Sequence, residues 1–326
     1  MAKRSIPGPP TRTFFVIALI SISLTALYSA DERVAIAPRI HVRISSDTKG
    51  AVPSLRVNVK LTQIPVTVTD SLGATFLGLQ QGAFRLFEDG VEQQIKYFSS
   101  EDGPVSMGVV FDASRSMEGR IDQSRAAVSQ FFRTAETGDE YFLIEFNDTP
   151  RILCDFTTDM EQIEKTLVSI KPQNWTALFD SVYLGIQQMR RAKNSRKVLL
   201  VLSDGGDNNS RYSESEMNSL VREADVSIYS IGLVGGGWVK RHVQLLRRLS
   251  EQTGGHFYPV EKMSDLPDAV AKVSAALRNQ YVLGYSSHNT ENDGLYRKIE
   301  VKLNQDPSRP PLHASWRNGY YAPDPR

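Results

Sequence analysis

The stretch Val105-Ser-Met-Gly-Val-Val-Phe-Asp112-Ala-Ser114-Arg115-Ser116-Met117 decides the fold. Gly103-Pro104 bounds it, and Val105 to Phe111 is apolar with no helical period, so it reads as a buried strand. At its carboxyl end, Asp112, Ser114 and Ser116 set oxygen-bearing side chains on alternate residues. In open α/β sheets, ligands bind just beyond the carboxyl ends of strands. Oxygen ligands there suit a hard divalent cation such as Mg²⁺.

Downstream, helices and strands alternate. Arg120 to Phe132 carries Ile121, Ala127, Val128, Phe131 and Phe132 at helical spacing, and Gly138 closes it. Glu140 to Phe146 and Arg151 to Phe156 read as a hairpin about Asn147-Asp148. Asp159 to Ile170 reads as a helix with Met160, Ile163, Leu167 and Ile170 on one face. Lys171-Pro-Gln-Asn-Trp175-Thr176 then leads into a helix from Ala177 to Ala192. Lys197 to Leu202 is the near-continuous apolar run of a strand buried on both faces, and it ends at Ser203-Asp204-Gly-Gly-Asp207-Asn208. Helices over Ser213 to Ala224, Val239 to Gln252 and Ser264 to Leu277 alternate with strands over Val226 to Ile231 and His256 to Val260. Gly235-Gly-Gly237 reads as a mobile loop. The alternation predicts an α/β domain over residues 103–280, a doubly wound, mostly parallel, Rossmann-like sheet with right-handed crossovers.

Upstream, residues 52–102 read as a small antiparallel β unit: Leu55 to Leu61 alternates, Ile64 to Val68 is β-rich, and Phe84 to Gly90 leads through Asp-Gly into Val91 to Phe98. Residues 281–326 read as a second β unit, with strands over Tyr281 to Tyr285, Tyr296 to Leu303 and Leu312 to Tyr321. The two units are expected to pair into one flanking antiparallel β domain that carries the α/β domain as an insertion.

The 326 residues balance 38 Lys and Arg against 37 Asp and Glu, so no basic excess marks a nucleic-acid binder. The single cysteine, Cys154, allows no intrachain disulfide and reads as a buried structural thiol. At the amino terminus, Lys3, Arg4 and Arg12 precede an apolar run from Phe14 to Tyr28. Residues 1–30 therefore read as a signal peptide or a membrane anchor, with 31–51 as a linker. Either reading exports the rest of the chain, to the periplasm, the medium or the outer face of the inner membrane.

A doubly wound sheet brings the Asp112, Thr176 and Asp204 loops to one edge. Taken together, Asp112-Ala-Ser-Arg-Ser-Met117, Trp175-Thr-Ala-Leu-Phe-Asp180 and Leu202-Ser-Asp-Gly-Gly-Asp207 resemble the metal-ion-dependent adhesion site (MIDAS) of von Willebrand factor A (VWA) domains. The five family positions fall on Asp112, Ser114, Ser116, Thr176 and Asp204, and all five residue types match. The resemblance covers about residues 104–280. Phe87-Glu-Asp-Gly90, Gln280 to Tyr285 and Gly319-Tyr-Tyr-Ala-Pro323 resemble the exported bacterial subgroup often found in Acidobacteria. The resemblance implies binding rather than turnover. The serines contact Mg²⁺ (or Mn²⁺ or Ca²⁺) directly, and the threonine and aspartates do so directly or through water. One position stays open for an acidic side chain of a protein partner, and a helix at the far end can shift when it binds.

Two positions depart from the pattern and form the expected partner-binding rim. Arg115 stands where a glycine or small residue is usual. It either pairs with a partner carboxylate or weakens cation binding by repulsion. Trp175 stands where glycine is common, and either anchors a partner or packs on its own loop. Asp180 and Asp207 are expected to cap or orient rather than ligate.

Enzyme readings find little support. There is no Gly-x-Ser-x-Gly elbow, phosphate loop or dinucleotide fingerprint. His41, His242, His256, His288 and His313 show no zinc spacing. An aspartyl-phosphate enzyme could use Asp112 and Asp204 with Mg²⁺, but it would need a second acid where Ser114 stands. A metal-free structural scaffold is the other alternative, and it would leave these buried polar groups unpaired.

Overall fold

The computed structural model describes residues 61–100, 103–234, 239–305 and 310–324. The expected leader, the linker, the strand over Leu55 to Leu61 and the Gly235–Gly237 loop lie outside the described residues, Leu61 apart.

Among the described residues, fourteen strands and six α-helices follow one another. Ahead of the α/β domain come β1 (Thr62–Thr69), β2 (Phe84–Glu88), β3 (Val91–Gln93) and β4 (Ile95–Ser99). Next are β5 (Val105–Asp112), α1 (Ile121–Phe132), β6 (Glu140–Phe146), β7 (Pro150–Thr157), α2 (Met160–Ser169) and α3 (Leu178–Met189). The second half has β8 (Arg196–Ser203), α4 (Glu214–Glu223), β9 (Ser227–Leu233), α5 (Val239–Gln252), β10 (Phe257–Val260) and α6 (Leu266–Arg278). Last come β11 (Tyr281–Tyr285), β12 (Tyr296–Leu303), β13 (His313–Trp316) and β14 (Gly319–Tyr321).

The central sheet runs β10-β9-β8-β5-β6-β7, parallel except for β7, which returns antiparallel beside β6. Every residue of β5 is buried because helices cover both of its faces. With a side-chain period of two, Val105, Met107, Val109 and Phe111 point to one core with α1, α2 and α6, and Val110 points to the other with α3, α4 and α5. Gly108 lies on the second face, where a Cβ would meet Phe142 Cζ at 2.1 Å. Helix starts follow local chemistry. The Asp159 carboxylate accepts from the amides of Glu161 and Gln162, and Ser213 forms a capping box with Glu216.

The flanking strands form two four-stranded sheets, β13-β1-β11-β4 and β14-β12-β2-β3, around a shared core that includes Val66, Leu86, Leu283 and Val301. Strand β1 lies between β11 and β13, and β2 between β12 and β3. The run Val91 to Phe98 is two strands rather than one, and β3 and β4 enter different sheets. Leu312 to Tyr321 divides in the same way into β13 and β14.

A buried polar seam joins this sandwich to the α/β domain. The Tyr229 hydroxyl on β9 bonds Thr67 Oγ1 on β1 at 3.1 Å and accepts from Gln280 Nε2 at 3.1 Å. Gly254 adopts φ 79° there, and a Cβ on it would lie 2.5 Å from the Arg317 amide nitrogen. At the end of α6, Arg278 pairs with Asp139, whose side chain is fully buried.

Candidate functional site

Strand β5 is the point where the strand order reverses, since β6 lies on one side of it and β8 on the other. Ligands of open α/β sheets gather at such a crevice, beyond the carboxyl ends. Asp112 is the last residue of β5 and is inaccessible to solvent. Its Oδ1 accepts the Ser114 amide at 2.9 Å, and its Oδ2 accepts the Ser203 hydroxyl at the end of β8. Ser203 Oγ in turn accepts the Gly205 amide at 2.9 Å.

The chain then makes a short 3-10 turn over Arg115–Met117, with Met117 buried as its anchor. The hydroxyls of Ser114 and Ser116 lie 3.0 Å apart, Ser114 buried and Ser116 exposed. Asp204 is half-buried beside the same loop. Burial, and then the charge of Asp204, raise Asp112 to about 6. Among the described residues no ion pair or hydrogen bond gives either acid a cationic partner.

Thr176 comes from the loop that precedes α3. Arg115 N–H donates to Asn174 O at 3.2 Å, and Gln173 N–H donates to Ala113 O at 2.9 Å, so this loop sits against the Asp112 loop. Thr176 is 4% exposed and bonds to the loop after β8, with its N–H donating to Asn208 Oδ1 at 2.9 Å. The three segments that carry Asp112, Thr176 and Asp204 therefore meet. The rim residues face water: Arg115 is exposed and Trp175 is 62% exposed.

Asp180 and Asp207 hold loops. Helix α3 has no side-chain cap of its own, and Asp207 Oδ2 accepts the Phe179 amide at 2.9 Å from outside the helix. The Ser210 hydroxyl accepts the Asp180 amide at 3.2 Å, and Asp180 Oδ1 accepts the amides of Arg211 and Tyr212. Sequence reading missed Asp148, Asn208 and Asn209. Their only signal was a cluster of Asn and Asp at two strand ends, which turn chemistry alone would also produce.

Two acids and three hydroxyls, with the acids unneutralised, suit a hard cation that keeps some of its water. No cluster of three or more His, Cys, Asp or Glu that could hold a metal occurs among the described residues, so such a site relies on hydroxyls. Cys154 is buried on β7, and burial raises its thiol, which fits packing rather than reactivity. Among the described residues no helix is long and apolar enough to cross a membrane.

Comparison with known proteins matches residues 107–272 to the von Willebrand factor type A domain. An uncharacterized protein of Borreliella burgdorferi is 25% identical over 205 residues, 61% of this chain and 58% of its own length, so this chain spans less than two thirds of that relative. Among solved structures, a conserved hypothetical protein, BatB, from Bacteroides thetaiotaomicron is 15% identical, with TM-score 0.44 over 53% of this chain and 98% of its own. The vWF domain of the type V pili tip protein Mfa5 from Porphyromonas gingivalis is 13% identical, with TM-score 0.45 over 53% of this chain and 94% of its own.

Proposed function

The chain belongs to the von Willebrand factor type A domain family, and on that premise we propose that it is a divalent-cation-dependent protein-binding module without enzymatic turnover. Domains of this family often mediate protein–protein contacts, and their adhesion sites use a metal. In this reading Asp112, Ser114, Ser116, Thr176 and Asp204 hold Mg²⁺, with Mn²⁺ or Ca²⁺ as substitutes. The bound cation supplies a positive charge that an acidic side chain of a partner protein can meet. Arg115 and Trp175 flank that contact.

One observation carries the reading. Asp112 is fully buried beside Asp204, and neither acid has a cationic partner among the described residues. Such a pair is unfavourable alone and favourable around a cation. Asp112 remains oriented in the meantime, because both of its oxygens already accept hydrogen bonds.

Isothermal titration of the purified protein with Mg²⁺, Mn²⁺ and Ca²⁺ tests the reading. Saturable binding that Asp112→Ala abolishes is expected. No binding of any of the three ions would leave a metal-free scaffold instead. Hydrolysis of a generic phosphoester that disappears in Asp112→Ala would point to aspartyl-phosphate chemistry. Export is the second part of the proposal, supported by the basic and apolar run at the amino terminus. It predicts the protein in the envelope or medium fraction and not in the cytoplasm.

A further inference from the structure

The segment from Asn174 to Ala177 belongs to no strand, yet its backbone is bonded as if it did. Thr176 N–H donates to Asn208 Oδ1 at 2.9 Å, and Thr176 O accepts the Asn208 amide at 3.0 Å. This is the reciprocal two-bond pairing of an antiparallel ladder, with a side-chain amide standing in for one carbonyl. Next to it, Trp175 N–H donates to Asp148 Oδ1 at 2.7 Å, and Ala177 N–H donates to Asn147 O at 2.8 Å. Asn209 links the two clamps, its Nδ2 donating to Asp148 O at 2.9 Å. Asn174 completes the turn at φ 61°, a left-handed conformation that Asn tolerates.

We propose that Asn208 and Asp148 are positioning residues, fixing Thr176 at the cation site and Trp175 at its rim before metal or partner arrives. The inference rests on the cation-site reading for its function, but the clamp itself can be measured without metal. Gln173, Asn174 and Trp175 are exposed, while Thr176 is 4% exposed. A polar loop of this kind is ordinarily mobile. Here side chains from two other loops bond its backbone. Ordering completed during folding is not charged to binding, so a preformed loop gains affinity. Residue choice fits the same need. An aspartate at position 208 could accept the same hydrogen bond but would add a further negative charge to a loop that already carries Asp204 and Asp207. Asparagine supplies the acceptor without the charge.

The test uses the full protein with Asn208→Ala, Asn208→Asp and Asp148→Ala. Amide exchange at Trp175 and Thr176 is followed by NMR in chelator, and Mg²⁺ affinity is followed by titration. In the wild type both amides are expected to exchange slowly without metal. Asn208→Ala is expected to speed exchange at Thr176 and weaken Mg²⁺ binding by roughly 10- to 100-fold, the usual effect of losing a group that orients a ligand. Asn208→Asp keeps the acceptor and is expected to restore protection. Asp148→Ala is expected to act first on Trp175. Open-chain exchange at Thr176 in the wild type would overturn the proposal even if no variant folds. So would wild-type exchange and Mg²⁺ affinity in a folded Asn208→Ala. A wild type that binds no Mg²⁺ yet loses protection in Asn208→Ala would remove the cation reading and keep the clamp.

Discussion

Asp112→Asn should stabilise the metal-free protein. Burial and the neighbouring Asp204 raise the Asp112 carboxyl from 3.8 to about 6. At about 1.4 kcal/mol for each pH unit, that gap makes its ionisation about 3 kcal/mol worse in the folded chain than in the unfolded one. The sign follows from proton binding. Between 3.8 and about 6 the folded state holds the proton that the unfolded state has released, so stability falls as pH rises through that window. Above it the loss is complete.

Asparagine removes the charge and keeps an acceptor for the Ser114 amide, which Asp112 Oδ1 now accepts at 2.9 Å. The bond with Ser203 must reverse, with the new amide donating to the hydroxyl, at a cost of about 1 kcal/mol. A net gain of about 2 kcal/mol is therefore expected at neutral pH in chelator, and little difference near pH 4. Urea unfolding in EDTA at several pH values measures it. With Mg²⁺ added, the order should invert, because only the wild type then gains from binding the ion. A variant less stable than wild type in chelator at pH 7 would refute the claim that buried, unneutralised charge is the tension in this site.

Other substitutions test the frame around it. Gly108→Ala should destabilise by about 1–3 kcal/mol by overpacking, because its Cβ would meet Phe142 Cζ at 2.1 Å; the urea midpoint reads it. Arg278→Met should cost about 3 kcal/mol by removing the cationic partner of the buried Asp139 carboxylate, which keeps its hydrogen bonds from the Val105 and Glu136 amides and the Tyr141 hydroxyl. Burial pushes Asp139 up, but the hydrogen bonds from Arg278 and from the backbone amides of Glu136 and Val105, with the charge of Arg278, together outweigh it and hold the carboxyl below its usual range. That stability is present above the usual range and lost as pH falls, so the loss in Arg278→Met should shrink on acidification. Tyr229→Phe should cost about 1–3 kcal/mol by stripping Gln280 and Thr67 of a buried partner, seen as a lower melting temperature.

Which residues of the site were legible in the sequence depends on how each is held. Asp112, Ser114 and Ser116 follow one another at the end of an apolar strand, so strand period and the carboxyl-end rule located them together. The Thr176 and Asp204 loops were placed at the same sheet edge by the start of a helix and the carboxyl end of a strand, but their assignment as ligands needed the resemblance, because nothing local in Trp-Thr-Ala or Ser-Asp-Gly marks one. Asp148 and Asn208 escaped because each acts on the backbone of a segment 27 or 32 residues away, and neither hydrophobic period nor turn propensity carries that information. The β strands show the same limit. Alternation across Val91 to Phe98 reports which residues face a core but not which partner each half pairs with, so the division between two sheets left no mark. The central sheet was legible because burial on both faces leaves β5 and β8 few alternative positions. Their parallel pairing, with Phe111 beside Leu202, puts Asp112 next to Ser203. The acid is then held by a hydroxyl rather than by a cation, and its charge stays available for whatever occupies the crevice.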